Sequence, residues 1–270
     1  MLVYDSAQQR SALVEELRDV VRYRHLLTEL VARNVKTRYK RSVLGVVWTM
    51  LNPLVMMTIL AVVFSNLFRV SIEHYSVYLL SALVIWGFFA QTTSSVMSEL
   101  VWGGSLLTRI HVPPAIFALS GLGTCLVNLL LALVPLGLIM VATGVPLTPA
   151  LLFIPVPIIC TSMFALGVGL VLSRLAVLFA DVVHMWEILL TAWMYATPII
   201  YPPEIIPDEY RWLFLLNPVY HLLAAFRAPI YDGRLPEADT VLLAVLSSTF
   251  ALLAGWWYFA RKAHEFAYRI

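Results

Sequence analysis

Charge is what this chain has least of. Only 13% of its 270 residues are Asp, Glu, Lys or Arg, while 61% are apolar and the mean hydropathy is +0.85. Soluble domains carry about twice that share of charge, so a soluble fold is excluded and little of the chain is expected outside a bilayer. Cysteine is almost missing as well. Cys125 and Cys160 both sit in apolar runs, which leaves no disulfide framework. The six histidines are scattered without metal-ligand spacing. None of the three lysines (Lys36, Lys40, Lys262) follows a glycine, so the GxxxxGK-S/T phosphate loop is absent and any ATP hydrolysis belongs to another chain. The polar opening of some 40 residues lacks the short basic tip and short apolar core of a signal peptide. The first span is therefore expected to direct its own insertion.

The charge that is present is unevenly placed. Nine of the 18 Lys and Arg lie in residues 1–42, ending in Lys36-Thr37-Arg38-Tyr39-Lys40-Arg41, and from Val43 to Phe64 there is none. Against five acidic residues that segment is net +4, whereas residues 201–240 hold three basic and six acidic groups, net −3. A basic collar abutting an apolar span fixes orientation, because positive charge stays in the cytoplasm. The same collar is a site for an anionic lipid headgroup. Both readings stand on the pattern alone.

A helix needs about 20 apolar residues to cross the hydrocarbon. Six segments meet or approach that length: 43–64, 77–97, 115–141, 147–172, 182–200 and 241–260. Asn52-Pro53 is expected to break the first in mid-membrane, and Pro155 and Pro157 to kink the fourth. A seventh apolar stretch, 212–231, is divided by Asn217-Pro218 and interrupted by His221 and Arg227. Six spans leave both termini cytoplasmic and put Arg261-Lys262 on the side of the collar, whereas seven would separate them. The stretch is therefore read as two short helices, 212–216 and 219–230, that dip into the outer leaflet and return. Leu13, Leu17, Val20, Leu27 and Val31 fall at helical spacing and predict an amphipathic N-terminal helix at the inner interface. The expected fold is thus an all-α, polytopic integral membrane protein. Its parts are an interfacial helix and collar (1–42), six transmembrane helices (43–260) with an outer re-entrant hairpin at about 202–235, and a cytoplasmic tail (261–270).

Val35 to Gly45, followed by Trp48 and Leu51-Asn52-Pro53-Leu54, resembles the opening of ABC-2 type permeases that export polysaccharides, nearest the branch for O-antigen, teichoic acid and galactan. Leu106-Leu107-Thr108-Arg109-Ile110-His111-Val112-Pro113 resembles that family's cytoplasmic turn between spans two and three. Thr197-Pro198-Ile199-Ile200-Tyr201-Pro202 and Leu215-Leu216-Asn217-Pro218 resemble its outer loop before span six. One departure lies between spans four and five. Many members carry a basic-acidic pair there, where this chain reads Phe179-Ala180-Asp181 and offers Arg174 as a substitute partner. The resemblance implies a half-transporter in the bacterial cytoplasmic (inner) membrane. Its expected partners are a second copy of itself, two copies of an ATPase subunit that bind the ATP and Mg, a lipid-linked polysaccharide and membrane lipids; no cofactor on this chain and no nucleic acid are implied.

Three groups of residues follow as site candidates. Lys36, Arg38, Lys40 and Arg41 are candidates to hold the pyrophosphate of a polyprenyl-linked glycan, since the guanidinium fork binds phosphate oxygens bidentately. Plain topogenic charge is the alternative. Within 98–114, Glu99, Trp102, Leu106, Leu107 and Arg109 are candidates for docking the ATPase, against a simple loop. Trp86, Phe88, Phe89, Trp193, Tyr195, Tyr201 and Tyr220 offer flat apolar faces on which sugars in a channel can slide, with core packing or interfacial anchoring as the competing roles. Glu187, little more than a turn into span five, is near enough to headgroup water to need no special role.

Two other functions compete with glycan export. An ABC-2 permease for a small lipid or drug accounts less well for the collar and the divided hairpin. A polyprenyl-phosphate glycosyltransferase needs clustered carboxylates at a cytoplasmic loop, and Asp208-Glu209 lies in the loop read as external.

Overall fold

The computed structural model describes residues 20, 22–40, 42, 44–68, 73–107 and 113–261, with backbone alone at 39, 65–68 and 101–107. Every regular element among them is helical: α1 (Arg24–Tyr39), α2 (Val47–Phe68), α3 (Tyr75–Leu107), α4 (Pro114–Thr143), α5 (Pro155–Leu178), α6 (Val182–Tyr195), α7 (Arg211–Leu215), α8 (Pro218–Arg227) and α9 (Ala238–Ala260). Short 3-10 turns precede α5 and α7, and a π turn, Ala228–Asp232, extends α8. Five stretches are long and apolar enough to cross a membrane: Val47–Phe64, Tyr75–Leu100, Pro114–Thr143, Pro149–Leu178 and Ala238–Ala260.

Three of the sequence expectations change in detail. Pro53 does not break the first span; α2 runs through it. Pro53 stands in the second turn, where its missing N–H frees only the carbonyl of Thr49. Pro155 and Pro157 do not kink the fourth span within its helix either. Pro155 is the first residue of α5, where a proline is pre-organised, and the irregularity falls at Ile154, between that helix and the 3-10 turn Pro149–Phe153. The span expected over 182–200 is helical only as far as Tyr195. Pro198 keeps the preceding residue out of the helical region, and the Thr197 hydroxyl caps the end by donating to the Trp193 carbonyl at 2.9 Å.

The short α6 and the turn after it run beside α3. Trp186 donates its indole N–H to Thr93 Oγ1 at 3.0 Å, while the carbonyl of Ile200 accepts from Tyr75 at 2.8 Å and that of Tyr201 from Tyr78 at 3.0 Å. Tyr75 and Thr93 are about 27 Å apart along α3 at helical rise. The segment 186–200 therefore travels nearly the depth of a hydrocarbon core, the last part as turn rather than helix.

α3 is the centre of the molecule. Two-thirds of its span is buried, whereas along Val47–Phe64 of α2 only Met57 is. From Val77 to Ala90 its sequence is apolar on nearly every side, as a helix surrounded by others requires. α4 and α5 flank it, and α9 closes on α5 at a crossing of backbones. A Cβ on Gly167 would overlap the Ala251 carbonyl, and one on Gly255 would overlap the carbonyl of Gly167. This contact admits no side chain larger than hydrogen, the close approach on which helix pairs in lipid depend. α4 ends at Gly144, whose φ of 78° supplies the left-handed cap that returns the chain.

α1 packs on the protein. Leu30 is buried among Val96, Leu100, Ile116, Phe117 and Phe259, with Leu26 and Leu27 alongside, and Val31 meets Gly123 of α4. The apolar stripe read as facing the bilayer interface is, over this part, covered by α3, α4 and α9. Leu13 and Leu17 lie outside the described residues.

Candidate functional site

The two ends of the divided stretch return to the same place. Tyr201, just ahead of the hairpin segment 202–235, takes the Tyr78 hydroxyl on its carbonyl. Tyr231, near its end, donates to the Glu73 carbonyl at 2.7 Å and meets the Tyr78 ring edge-on at 5.2 Å. Between them α7 and α8 join at a 90° bend. The bend is deep: Val219, Leu222 and Leu223 face Ile85, Trp86 and Phe89, about 15–20 Å down α3 from Tyr75 at helical rise. Both ends of the segment therefore meet α3 near Tyr75 and Tyr78, with a 90° bend between them.

Two residues hold it there. Asn217 caps α8 by accepting from the Val219 N–H at 3.1 Å, and the same oxygen accepts from the Trp193 indole at 2.9 Å. Its amide nitrogen donates to Thr197 Oγ1 at 3.0 Å and to the Ala196 carbonyl at 3.3 Å. Arg227, only 8% exposed, donates to the carbonyls of Pro198 and Ile199 at 3.1 and 3.3 Å and lies 3.7 Å over the Tyr78 ring. The guanidinium thus joins the hairpin to the turn after α6 and to α3. Sequence reading treated both residues as interruptions and missed these roles. The dipeptide Asn-Pro at a helix start was the available signal for Asn217.

The collar meets the membrane at a cavity of about 560 Å³ between α2, α3 and α4. Arg38 stands on its wall with Ser42, followed inward by Trp48 and Asn52, and by Trp86 and Phe88 on α3. Lys36 and Lys40 are exposed and do not line it, and Arg41 lies outside the described residues. The structure therefore brings one collar residue and two of the proposed channel aromatics to a single space.

The remaining aromatics separate. Phe89 is wholly buried and packs against Trp86 at 5.5 Å, Phe164 at 5.7 Å and Trp193 at 5.4 Å between ring centres. Trp186 joins this cluster 6.3 Å from Trp193. Within the single chain Phe89 is thus a core residue, enclosed by three other rings. Trp193 is held by the same rings and by Asn217. Tyr195 is 61% exposed, Tyr201 donates to the Tyr195 carbonyl at 2.9 Å, and Tyr220 lies edge-on to His221 at 5.3 Å. Phe164 and Trp186 were not singled out in the sequence, since a lone aromatic in an apolar run carries no positional signal.

The segment proposed for docking is not a separate helix in its first half. Residues 98–107 continue α3 without a break. Glu99 accepts from Asn34 of α1 at 2.8 Å, which ties it to the N-terminal helix. The side chains of Trp102, Leu106 and Leu107, and all of Arg109, lie outside what is described. Arg174 does not pair with Asp181; its guanidinium bonds the Tyr258 carbonyl and lies 3.9 Å over the Tyr258 ring, anchoring α5 to α9. Glu187 is largely exposed, 3.9 Å from His184.

Comparison with known proteins places this architecture. Residues 25–231 match the family described as ABC-2 type transporter. The O-antigen export system permease protein RfbA of Myxococcus xanthus is 33% identical over 94% of this chain and 99% of its own length. RfbA of Klebsiella pneumoniae is 24% identical over 90% and 93%, and the polysialic acid transport protein KpsM of Escherichia coli 23% identical over 84% and 89%. With the family matched over most of its length, the chain belongs to the ABC-2 type transporters, as a multi-pass membrane protein.

Proposed function

We propose that this chain is the permease subunit of an ABC transporter that exports a polyprenyl-pyrophosphate-linked polysaccharide, of the O-antigen kind, across the bacterial cytoplasmic membrane. The observation that carries the reading is the cavity running from Arg38 past Trp48 to Trp86 and Phe88. A phosphate-binding cation, flat apolar faces and membrane depth are the three things a lipid-linked sugar requires. Two relatives named for O-antigen export are similar over nine-tenths or more of this chain, and capsule and polysialic acid exporters more distantly.

In this reading two copies form the path and each carries an ATPase subunit, which supplies ATP and Mg; the chain itself holds no cofactor. The exposed apolar face of α2, with Val55, Ile59 and Val62, suits a second copy or lipid. Both termini and the collar lie in the cytoplasm, and the hairpin opens to the outside. The ATPase meets the segment 98–114. Deleting the gene should strip the surface of the polysaccharide while its lipid-linked form accumulates in the inner leaflet. Surface polysaccharide at normal levels in the deletion would refute the proposal.

A further inference from the structure

Three short stripes converge on the cavity. Trp48, Asn52 and Met56 follow one another at intervals of four on α2, and Leu83, Gly87 and Gln91 do so on α3, while Asn128 and Ala132 complete the wall from α4. Two of these residues are out of place in a membrane span. Asn52 and Gln91 are both exposed within the single chain, and among the described residues neither side chain has a hydrogen-bond partner. A carboxamide left bare in hydrocarbon is unfavourable, so two of them facing one space call for a polar guest. Gly87 adds to this. A Cβ there would meet nothing within 4 Å, so the wall between Leu83 and Gln91 is kept clear although no neighbour demands it.

We propose that this cavity is a sugar subsite that reads the first saccharide of the lipid-linked glycan. This rests on the function proposed above, and it goes further by assigning recognition to Asn52 and Gln91. Each carboxamide offers an acceptor oxygen and two donor hydrogens, the set that matches a sugar's hydroxyl and acetamido groups. Arg38 at the mouth takes the phosphate, and the exposed indole of Trp48 presents an apolar face to the ring, with the edge of the largely buried Trp86 behind it. Gly87 leaves room for the ring to lie against α3. The volume of about 560 Å³ falls in the usual range for small-molecule sites, about 300–1,000 Å³. The subsite lies within one chain, so it selects the glycan's beginning before any path between two copies is entered.

The test is binding to the purified full-length chain in lipid nanodiscs, with two probes: a polyprenyl pyrophosphate bearing one N-acetylhexosamine, and the same lipid without sugar. Wild type should prefer the sugar-bearing lipid by about tenfold, as two hydrogen bonds of ordinary strength confer. Asn52→Leu with Gln91→Leu should abolish the preference and leave bare-lipid binding unchanged. Gly87→Ala and Gly87→Leu, whose Cβ enters open space, should reduce the preference in order of size, and a melting temperature kept by the alanine variant guards against misfolding. Arg38→Gln should weaken both probes alike. If wild type binds both lipids equally, or the variants keep the preference, the subsite does not exist and the function proposed above stands. If wild type binds neither, that function falls with it.

Discussion

Trp193 and Asn217 share a 2.9 Å hydrogen bond between the indole N–H of α6 and the oxygen that also caps α8. One side chain therefore ends the re-entrant dip, starts the returning helix and fixes the fifth crossing against both. Asn217→Leu removes the cap and leaves the indole without an acceptor. The cap alone is worth about 1 kcal/mol and an unsatisfied buried donor about 1–3 kcal/mol. The variant should unfold at clearly lower temperature in detergent. Asn217→Asp keeps the acceptor but loses the amide bonds to Thr197 and Ala196, so it should fall between. Equal melting of all three proteins would show that the hairpin is held elsewhere.

Arg227 is the second fastening. Its flat fork reaches two carbonyls while its face lies on Tyr78, which the compact ammonium of lysine cannot do at once. Arg227→Lys should therefore destabilise nearly as much as Arg227→Gln, about 2 kcal/mol or more. Tyr78→Leu should cost less by itself and add little to either, since the partners couple. A thermal-melt double-mutant cycle measures this, and full additivity would deny the coupling.

The hairpin's ends lie together at the Tyr75 end of α3, so one side of the membrane should reach both. Cysteines placed at Asp208 and Asp232 should each react with an impermeant thiol reagent added outside intact cells. The native Cys125 and Cys160 are buried and free, so they add little background. Labelling of one introduced site without the other would make 208–232 a true span.

The crossing of α5 and α9 has no room for a side chain. Gly255→Ala should push the helices apart and cost about 1–3 kcal/mol, as overpacking does, although the substitution favours helix formation by about 1 kcal/mol. Gly87→Ala, which meets open space, should keep that gain. Melting temperatures of the pair should move in opposite directions; movement in the same direction would mean the crossing is looser than it looks.

Much of this was legible in the sequence, for physical reasons. Long apolar runs report burial in lipid whatever their neighbours are, so the five stretches able to cross a membrane and the division at Asn217-Pro218 could be read directly. Parity of charge argued that 212–231 turns back, and the contacts of Tyr201 and Tyr231 with α3 agree. What could not be read depends on which helix faces which. Phe89 and Trp86 lie three residues apart in the same buried cluster, yet only Trp86 also borders the cavity. Arg174 was matched to Asp181 by proximity in sequence, but α9 brings Tyr258 closer. Asn52 is a lone polar residue in an apolar run and Gln91 opens the polar stretch 91–95, and only their convergence on one space gives them meaning.

The most direct measurement of the central claim is transport itself. The permease would be reconstituted in vesicles with its partner ATPase, lipid-linked polysaccharide supplied on the collar side, and polysaccharide reaching the far side measured with a glycan-specific lectin. Wild type should translocate it only with ATP present. Arg38→Gln with Arg41→Gln should insert in the same orientation, because Arg18, Arg22, Arg24, Arg33 and Lys36 remain. Its transport at limiting substrate should drop about tenfold or more, the loss of two contacts worth about 1 kcal/mol or more each. Translocation without ATP, or none by wild type with its ATPase bound and hydrolysing, would contradict the account.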